Sequence, residues 1–224
     1  MNWKDKVFKN FRLYAVTDLK ESDDSILKKI EDVYRGGADI VQLRSKGFMD
    51  GALFRLGLKV KKIAAKQKKL YFVNDRLDLA LATGADGLHV GQDDFPVSVV
   101  RRTLARTGAV IRFLGKSTHS LEQALKTSRE DVDYLGLGPI FSTPTKSHYK
   151  PIGLNLISQV HEKVGKPIVV IGGIDSQNLN QVLDAGAERV AVVRALFHQK
   201  DSYEAARCLR QILEKYEQTK NDSD

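Results

Sequence analysis

Short runs of apolar, mostly β-branched residues alternate along this chain with longer stretches in which apolar positions recur every three or four residues. The short runs fall at residues 12–16, 39–43, 70–73, 87–90, 111–114, 134–137, 168–171 and 189–192. Between them lie stretches of helical period, such as 26–34, 53–66, 121–128, 179–185 and 203–216. Strands separated by helical patterns of this length predict βαβ units and a parallel sheet. The count is eight strands and eight helices. Residues 1–10 and 218–224 fall outside it and are expected to be short flexible tails.

A repeat within the pattern narrows the architecture. Gly37-Ala38-Asp39 precedes the second strand, Gly84-Ala85-Asp86 the fourth and Gly186-Ala187-Glu188 the eighth, while Asp131-Val132-Asp133 holds the matching place before the sixth. Asp39 to Asp86 and Asp86 to Asp133 are 47 residues each, and Asp133 to Glu188 is 55. Each glycine suits the position just past a helix, where a positive φ is needed and a Cβ would be strained. A chain of 224 residues is long enough for one large α/β domain or two small ones. A (βα)₂ unit recurring four times favours a single (β/α)₈ TIM barrel over an open sheet whose strand order reverses.

Composition adds exclusions. The formal net charge of +8 suits nucleic acid or small anions. The aromatics interleaved with basic residues that a single-strand platform needs are missing, so small-molecule substrates are expected and nucleic acid is not. One cysteine, Cys208, excludes an internal disulfide and a cysteine-based zinc site, and fits a reducing compartment. No apolar stretch approaches the length of a membrane span. The basic opening segment has no apolar centre of the kind a secretory signal carries. A cytoplasmic protein is therefore expected, with oligomeric state left open, a homo-oligomer included.

In a barrel of this kind the active site is built from the loops after the strands. Here those positions read Thr17-Asp18, Arg44-Ser45-Lys46, Asn74-Asp75-Arg76, Gly91-Gln92-Asp93-Asp94, Gly115-Lys116-Ser117-Thr118-His119, Ser142-Thr143-Pro144-Thr145-Lys146, Gly172-Gly173 and Arg194. Asp75 and Asp94 end neighbouring strands. Mg²⁺ takes one or two protein carboxylates and completes its octahedron with water and phosphate oxygens, although each aspartate could equally cap the helix that follows. Arg44, Lys46 and Lys146 bring positive charge to the same rim, suiting a pyrophosphate; surface ion pairs are the plainer reading. Lys61, Lys62, Lys66, Lys68 and Lys69 read as a solvated helix face. The loop from 138 to 153 is long for a βα connection and suits a substrate-binding lid. Gly172-Gly173 paired with Arg194 matches the usual phosphate corner of a barrel. His89 reads as packed. His119 precedes a capping box at Ser120-Leu121-Glu122-Gln123.

Several of these stretches closely resemble motifs of the thiamine-phosphate synthase family. They are Val41-Gln42-Leu43-Arg44-Ser45-Lys46, Val73-Asn74-Asp75-Arg76, the run from Gly84 to Asp94, the run from Gly136 to Lys146, and Ile171-Gly172-Gly173-Ile174. They occur in the family's order across nearly the whole chain. The resemblance implies a transferase that joins hydroxymethylpyrimidine pyrophosphate to thiazole phosphate, giving thiamine phosphate and pyrophosphate. In that family a magnesium ion helps pyrophosphate depart, and the thiazole nitrogen captures the resulting pyrimidine methyl cation. Carried over, Gln42, Leu43, Arg44, Ser45, Lys46, Asn74, Ser117 and Lys146 would hold the pyrimidine pyrophosphate. Of these, Arg44, Lys46, Asn74, Ser117 and Lys146 would serve the chemistry. Asp75 and Asp94 would bind Mg²⁺, while Thr143, Pro144, Thr145, Gly173, Val193 and Arg194 would hold the thiazole phosphate. Ser45, Ser142 and Arg194 depart from the commonest pattern, where Glu, Pro and Ser are frequent. The rival readings are a thiazole tautomerase, for which His119 would move protons, and a non-catalytic binder of phosphorylated precursors or RNA.

Overall fold

Residues 1–19, 25–144 and 149–221 are described by a computed structural model. Its strands are short and buried on both faces, as parallel strands covered by helices must be. They are β1 (Leu13–Val16), β2 (Ile40–Leu43), β3 (Leu70–Asn74), β4 (Gly87–Val90), β5 (Phe113–Thr118), β6 (Tyr134–Leu137), β7 (Ile168–Ile171) and β8 (Arg189–Val192). All eight pair in parallel in chain order, and β8 returns to β1 to close the barrel. The helices are α1 (Trp3–Asn10), α2 (Ile26–Arg35), α3 (Asp50–Lys66), α4 (Leu77–Thr83), α5 (Val97–Thr107), α6 (Leu121–Ser128), α7 (Asn155–Lys163), α8 (Leu179–Asp184), α9 (Arg194–Phe197) and α10 (Ser202–Asn221). The (β/α)₈ barrel read from the repeat is the observed fold.

Alternation along each strand splits the core in two. Outward residues such as Val41, Leu43, Val73 and Leu88 pack against the helices. Inward residues Tyr14, Ile40, Leu70, Phe72, Phe113, Tyr134, Val169 and Ala191 fill the barrel with Phe11. Several aromatic rings inside so narrow a barrel need space from their neighbours. A Cβ on Gly115 would lie 2.1 Å from the Tyr134 ring, so this position has no room for a side chain.

The repeated acids explain themselves at the base of the barrel. Asp39 accepts the Arg12 and Leu13 N–H groups at the start of β1, Asp86 that of Tyr71 in β3, and Asp133 that of Leu114 in β5. The acids before β2, β4 and β6 thus clamp the preceding odd strands, while Glu188 before β8 pairs instead with its neighbour Arg189. Gly37, Gly84 and Gly186 take positive φ, as the repeat predicts. The lysine cluster is not uniformly solvated. Lys69 pairs with Asp39, and Lys61 with Asp86, so two of the five hold the clamp acids.

Three elements differ from the sequence reading, one being α10, which stays helical to Asn221, into the tail expected at 218–224. Residues 3–10, expected within a tail, form α1, whose Phe8 stacks on Phe113 at 4.0 Å beneath the barrel. Asn2 caps this helix by accepting the Lys4 N–H. Its few apolar residues among lysines give no amphipathic signal, because the surface they cover exists only once the barrel closes. Strand β5 runs to Thr118 and not to Leu114. Gly-Lys-Ser-Thr looks like a loop, yet its backbone is laddered to β4 on one side and β6 on the other.

Candidate active site

The polar chemistry gathers at the C-terminal mouth. Gln42, Arg44, Asn74 and Ser117 come from β2, β3, β5 and their ends. Thr143 and Pro144 come from the loop after β6, Gly173 from the loop after β7, and Val193 and Arg194 from the end of β8. All nine line one cavity of about 470 Å³, together with Tyr14, His89, His119 and Tyr134. This size holds a small-molecule ligand.

Three residues expected to touch substrate stand apart from this lining. Alternation sends Leu43 to the opposite face of β2, where it is 2% exposed in the core between sheet and helices. Ser45 donates its hydroxyl hydrogen to the Leu19 carbonyl at 3.3 Å, tying β2 to the segment after β1. Lys46 is exposed, next to Ser45, beyond the cavity wall. Thr145 and Lys146 lie outside the described residues.

Arg44 is nearly buried, and its Nη1 lies 2.5 Å from Asp18 Oδ1, which is equally shielded. The pair is not a loose surface contact. Asp18 follows β1 and fixes which way the guanidinium fork points, leaving its other N–H groups for an anion. The sequence showed Asp18 at a strand end but gave no sign that Arg44 would be its partner.

The phosphate corner is tightly built. Gly173 has φ +69°, and a Cβ there would meet Phe141 Cβ at 2.7 Å. The two loops approach this closely because Ile140 N–H donates to Ile171 and Phe141 N–H to Gly172. The Asn178 amide donates to the Gly173 carbonyl at 2.8 Å and holds that turn from the other side. Arg194 opens α9 and is exposed beside this corner.

Asp75 and Asp94 follow the neighbouring strands β3 and β4. Neither caps a helix, since α4 and α5 begin after Arg76 and Pro96. Asp75 has φ +60°, uncommon for a residue with a side chain, and its N–H donates to the His89 carbonyl. Asn74 Nδ2 donates to Asp75 Oδ2 at 2.5 Å, and Asp94 Oδ2 accepts the Gly91 N–H at 2.7 Å. Among the described residues no group of three or more His, Cys, Asp or Glu forms a metal cluster. Two half-buried carboxylates, each oriented by a loop hydrogen bond, fit the one or two protein ligands that Mg²⁺ takes.

Histidines contribute more than their sequence context suggested. His89 was expected to be packed, and both ring nitrogens are indeed hydrogen-bonded, but the ring also lines the cavity. His119 lines it too, with Nδ1 donating to the Gly138 carbonyl and its ring 4.2 Å from that of Tyr149. The cap forms in part as read: Ser120 accepts the Gln123 N–H, but the Gln123 side chain accepts the His119 N–H, one residue before the N-cap. Tyr14 and Tyr134 also line the cavity, and the sequence gives no sign of it because an inward aromatic cannot be told there from core filling.

The thiamine monophosphate synthase family model matches residues 13–196. The chain belongs to this family. Membership makes it an enzyme and a transferase. A thiamine-phosphate synthase of Thermus thermophilus is 42% identical over 205 residues, covering 90% of this chain and 97% of that one. One of a Nostoc species is 39% identical over 191 residues, 85% of this chain but 52% of the relative, so the chain spans about half of that longer protein. Among solved structures, the family member thiamine phosphate pyrophosphorylase from Pyrococcus furiosus superposes with a TM-score of 0.83 at 32% identity, covering 93% of this chain and 98% of the other. As for other cellular settings, no described helix is long and apolar enough to cross a membrane.

Proposed function

We propose that the chain joins 4-amino-2-methyl-5-hydroxymethylpyrimidine pyrophosphate to 4-methyl-5-(2-hydroxyethyl)thiazole phosphate, forming thiamine phosphate and pyrophosphate. The observation that carries this reading is one cavity with two differently equipped walls. Gln42, Arg44, Asn74 and Ser117 stand on β2, β3 and β5, while Thr143, Gly173, Val193 and Arg194 stand across the mouth after β6, β7 and β8. Two anionic substrates can sit side by side with the reacting carbon of one and the ring nitrogen of the other near the barrel axis, which supplies proximity and orientation.

On this reading Arg44, oriented by Asp18, binds the pyrophosphate and takes up charge as it leaves. Lys46 and Lys146 add positive charge from flanking loops. Asn74 donates to Asp75 and so aligns that carboxylate. Asp75 and Asp94 would hold Mg²⁺, which supplies Lewis-acid stabilisation of the departing pyrophosphate oxygens. Gln42 and Ser117 orient the pyrimidine. Thr143, Pro144, Thr145, Gly173, Val193 and Arg194 hold the thiazole phosphate so that its ring nitrogen faces the carbon losing pyrophosphate. The C–O bond to pyrophosphate breaks, and the nitrogen lone pair forms the new C–N bond.

His119 at the cavity wall favours, on one observation, the second reading of a thiazole tautomerase. A single experiment separates the two. The purified chain is mixed with both phosphorylated precursors and Mg²⁺, and the products are separated. Thiamine phosphate with an equal amount of pyrophosphate is the expected outcome. Isomerised thiazole phosphate without coupled product would replace the synthase reading by the tautomerase.

A further inference from the structure

A continuous hydrogen-bond chain crosses the floor of the cavity. Gln42 Nε2 donates to Tyr14 Oη at 2.8 Å, and the Tyr14 and Tyr134 hydroxyls are 3.1 Å apart. Tyr134 Oη is 2.8 Å from His89 Nδ1, and His89 Nε2 is 2.9 Å from Ser117 Oγ. Both phenols are 1% exposed, and burial pushes their pKa values up, so each keeps its single proton.

Counting protons gives the chain a direction. Tyr14 receives an N–H from Gln42, so its own proton goes to Tyr134. Tyr134 has then accepted, and its proton goes on to His89 Nδ1, which must be bare. In the neutral imidazole the proton therefore sits on Nε2 and is donated to Ser117 Oγ. The serine has accepted and retains its O–H for the cavity.

We propose that Gln42, Tyr14, Tyr134 and His89 form a one-way hydrogen-bond chain that fixes His89 as the Nε2–H tautomer. The consequence is that the Ser117 hydroxyl is a committed hydrogen-bond donor toward an acceptor atom of the pyrimidine pyrophosphate. This rests on the assignment of Ser117 to that substrate. Tyr14, Tyr134 and His89 act as positioning residues through Ser117. A hydroxyl free to rotate would spend part of its time pointing at the histidine. One whose acceptor side is already engaged is pre-organised, as a fixed donor must be to favour a developing negative charge.

The tautomer is read directly from substrate-free protein labelled with ¹⁵N-histidine, by long-range proton–nitrogen correlation, with His89→Asn used for assignment. The expected spectrum shows a bare Nδ1 and a protonated Nε2 for His89 in the parent protein, and both tautomers in Tyr134→Phe. An Nδ1–H signal or a mixture in the parent protein overturns the proposal, as does an unchanged tautomer in Tyr134→Phe. A second measurement asks whether Tyr134 works through the serine. Tyr134→Phe should lower kcat/KM for the pyrimidine pyrophosphate about tenfold, the scale of one hydrogen bond, and should cost nothing further in a Ser117→Ala background. Equal losses in both backgrounds would reduce Tyr134 to packing and overturn the proposal. Failure to form thiamine phosphate would instead count against the proposed reaction and leave the tautomer result standing.

Discussion

Arg44 serves two partners with one guanidinium. Its Nη1 is committed to Asp18 in a nearly solvent-free pair, and the remaining donors face the cavity. Removing one partner of such a pair leaves an uncompensated charge and a side chain free to turn. Asp18→Ala should therefore lower kcat/KM for the pyrimidine pyrophosphate by roughly thirtyfold, the equivalent of about 2 kcal/mol of lost orientation and pairing, while KM for the thiazole phosphate stays unchanged. Steady-state kinetics with each substrate varied in turn would show this, and equal losses for both would mean a general collapse of the mouth. Arg194 is the matching test on the other wall. It stands exposed beside the Gly172-Gly173 turn, where a guanidinium can add charge-assisted bonds to phosphate. Arg194→Ser should weaken thiazole phosphate binding by about 1.5–3 kcal/mol and barely alter the pyrimidine pyrophosphate. Separate calorimetric titrations check both halves, and unaltered thiazole phosphate affinity would make Arg194 a rim residue without phosphate contact.

Among the elements, α1 shows how a segment with almost no intrinsic signal becomes structure. Its Phe8 lies 4.0 Å from Phe113 and also meets Phe72, Phe11 and Tyr134, sealing the end of the barrel opposite the site. Asp5 and Lys4 tie it to Arg112 and Asp86. Phe8→Ala should cost about 2 kcal/mol, below the value for a fully buried phenylalanine because Phe8 keeps some exposure. That corresponds to a fall of roughly 5 °C in Tm by calorimetry. An unchanged Tm would make α1 an ornament on a barrel already complete. Strand β5 teaches the complementary lesson at the mouth. Its last residues look like loop, and their ladder bonds to β4 and β6 are what hold Ser117 against His89.

At the scale of the whole molecule, closure brings together groups that the chain keeps far apart. Asp39 holds the start of β1 and also Arg210, 171 residues away, so the last helix is fastened to the first strands. The same closure sets Asp75 and Asp94 on adjacent strands, each oriented by its loop. Their arrangement predicts a metal requirement. Chelation with EDTA should abolish product formation, and added Mg²⁺ should restore it, since Asp75 and Asp94 would share the ion with pyrophosphate oxygens and water. Full turnover in chelated solution would remove the metal from the reaction.

The strand–helix alternation and the Gly-Ala-Asp repeat sufficed for the barrel, because period and turn chemistry are local properties written residue by residue. The strand ends likewise pointed to Arg44, Asn74, Ser117, Gly173 and Arg194, since in a barrel the end of a strand is the mouth, and the family resemblance added Gln42; all six line the cavity. Other features depended on distant neighbours. Leu43 looked like its flanking site residues, but a two-residue side-chain period turned it into the outer core. Asp18 acquired its meaning from Arg44, and α1 from a surface that eight strands must first create. Tyr14 and Tyr134 read as core filling, which they are. Only the closed barrel decided that their hydroxyls would meet inside it, linking Gln42 on one strand to Ser117 three strands away, because contacts across a barrel are fixed by register and closure and not by sequence spacing.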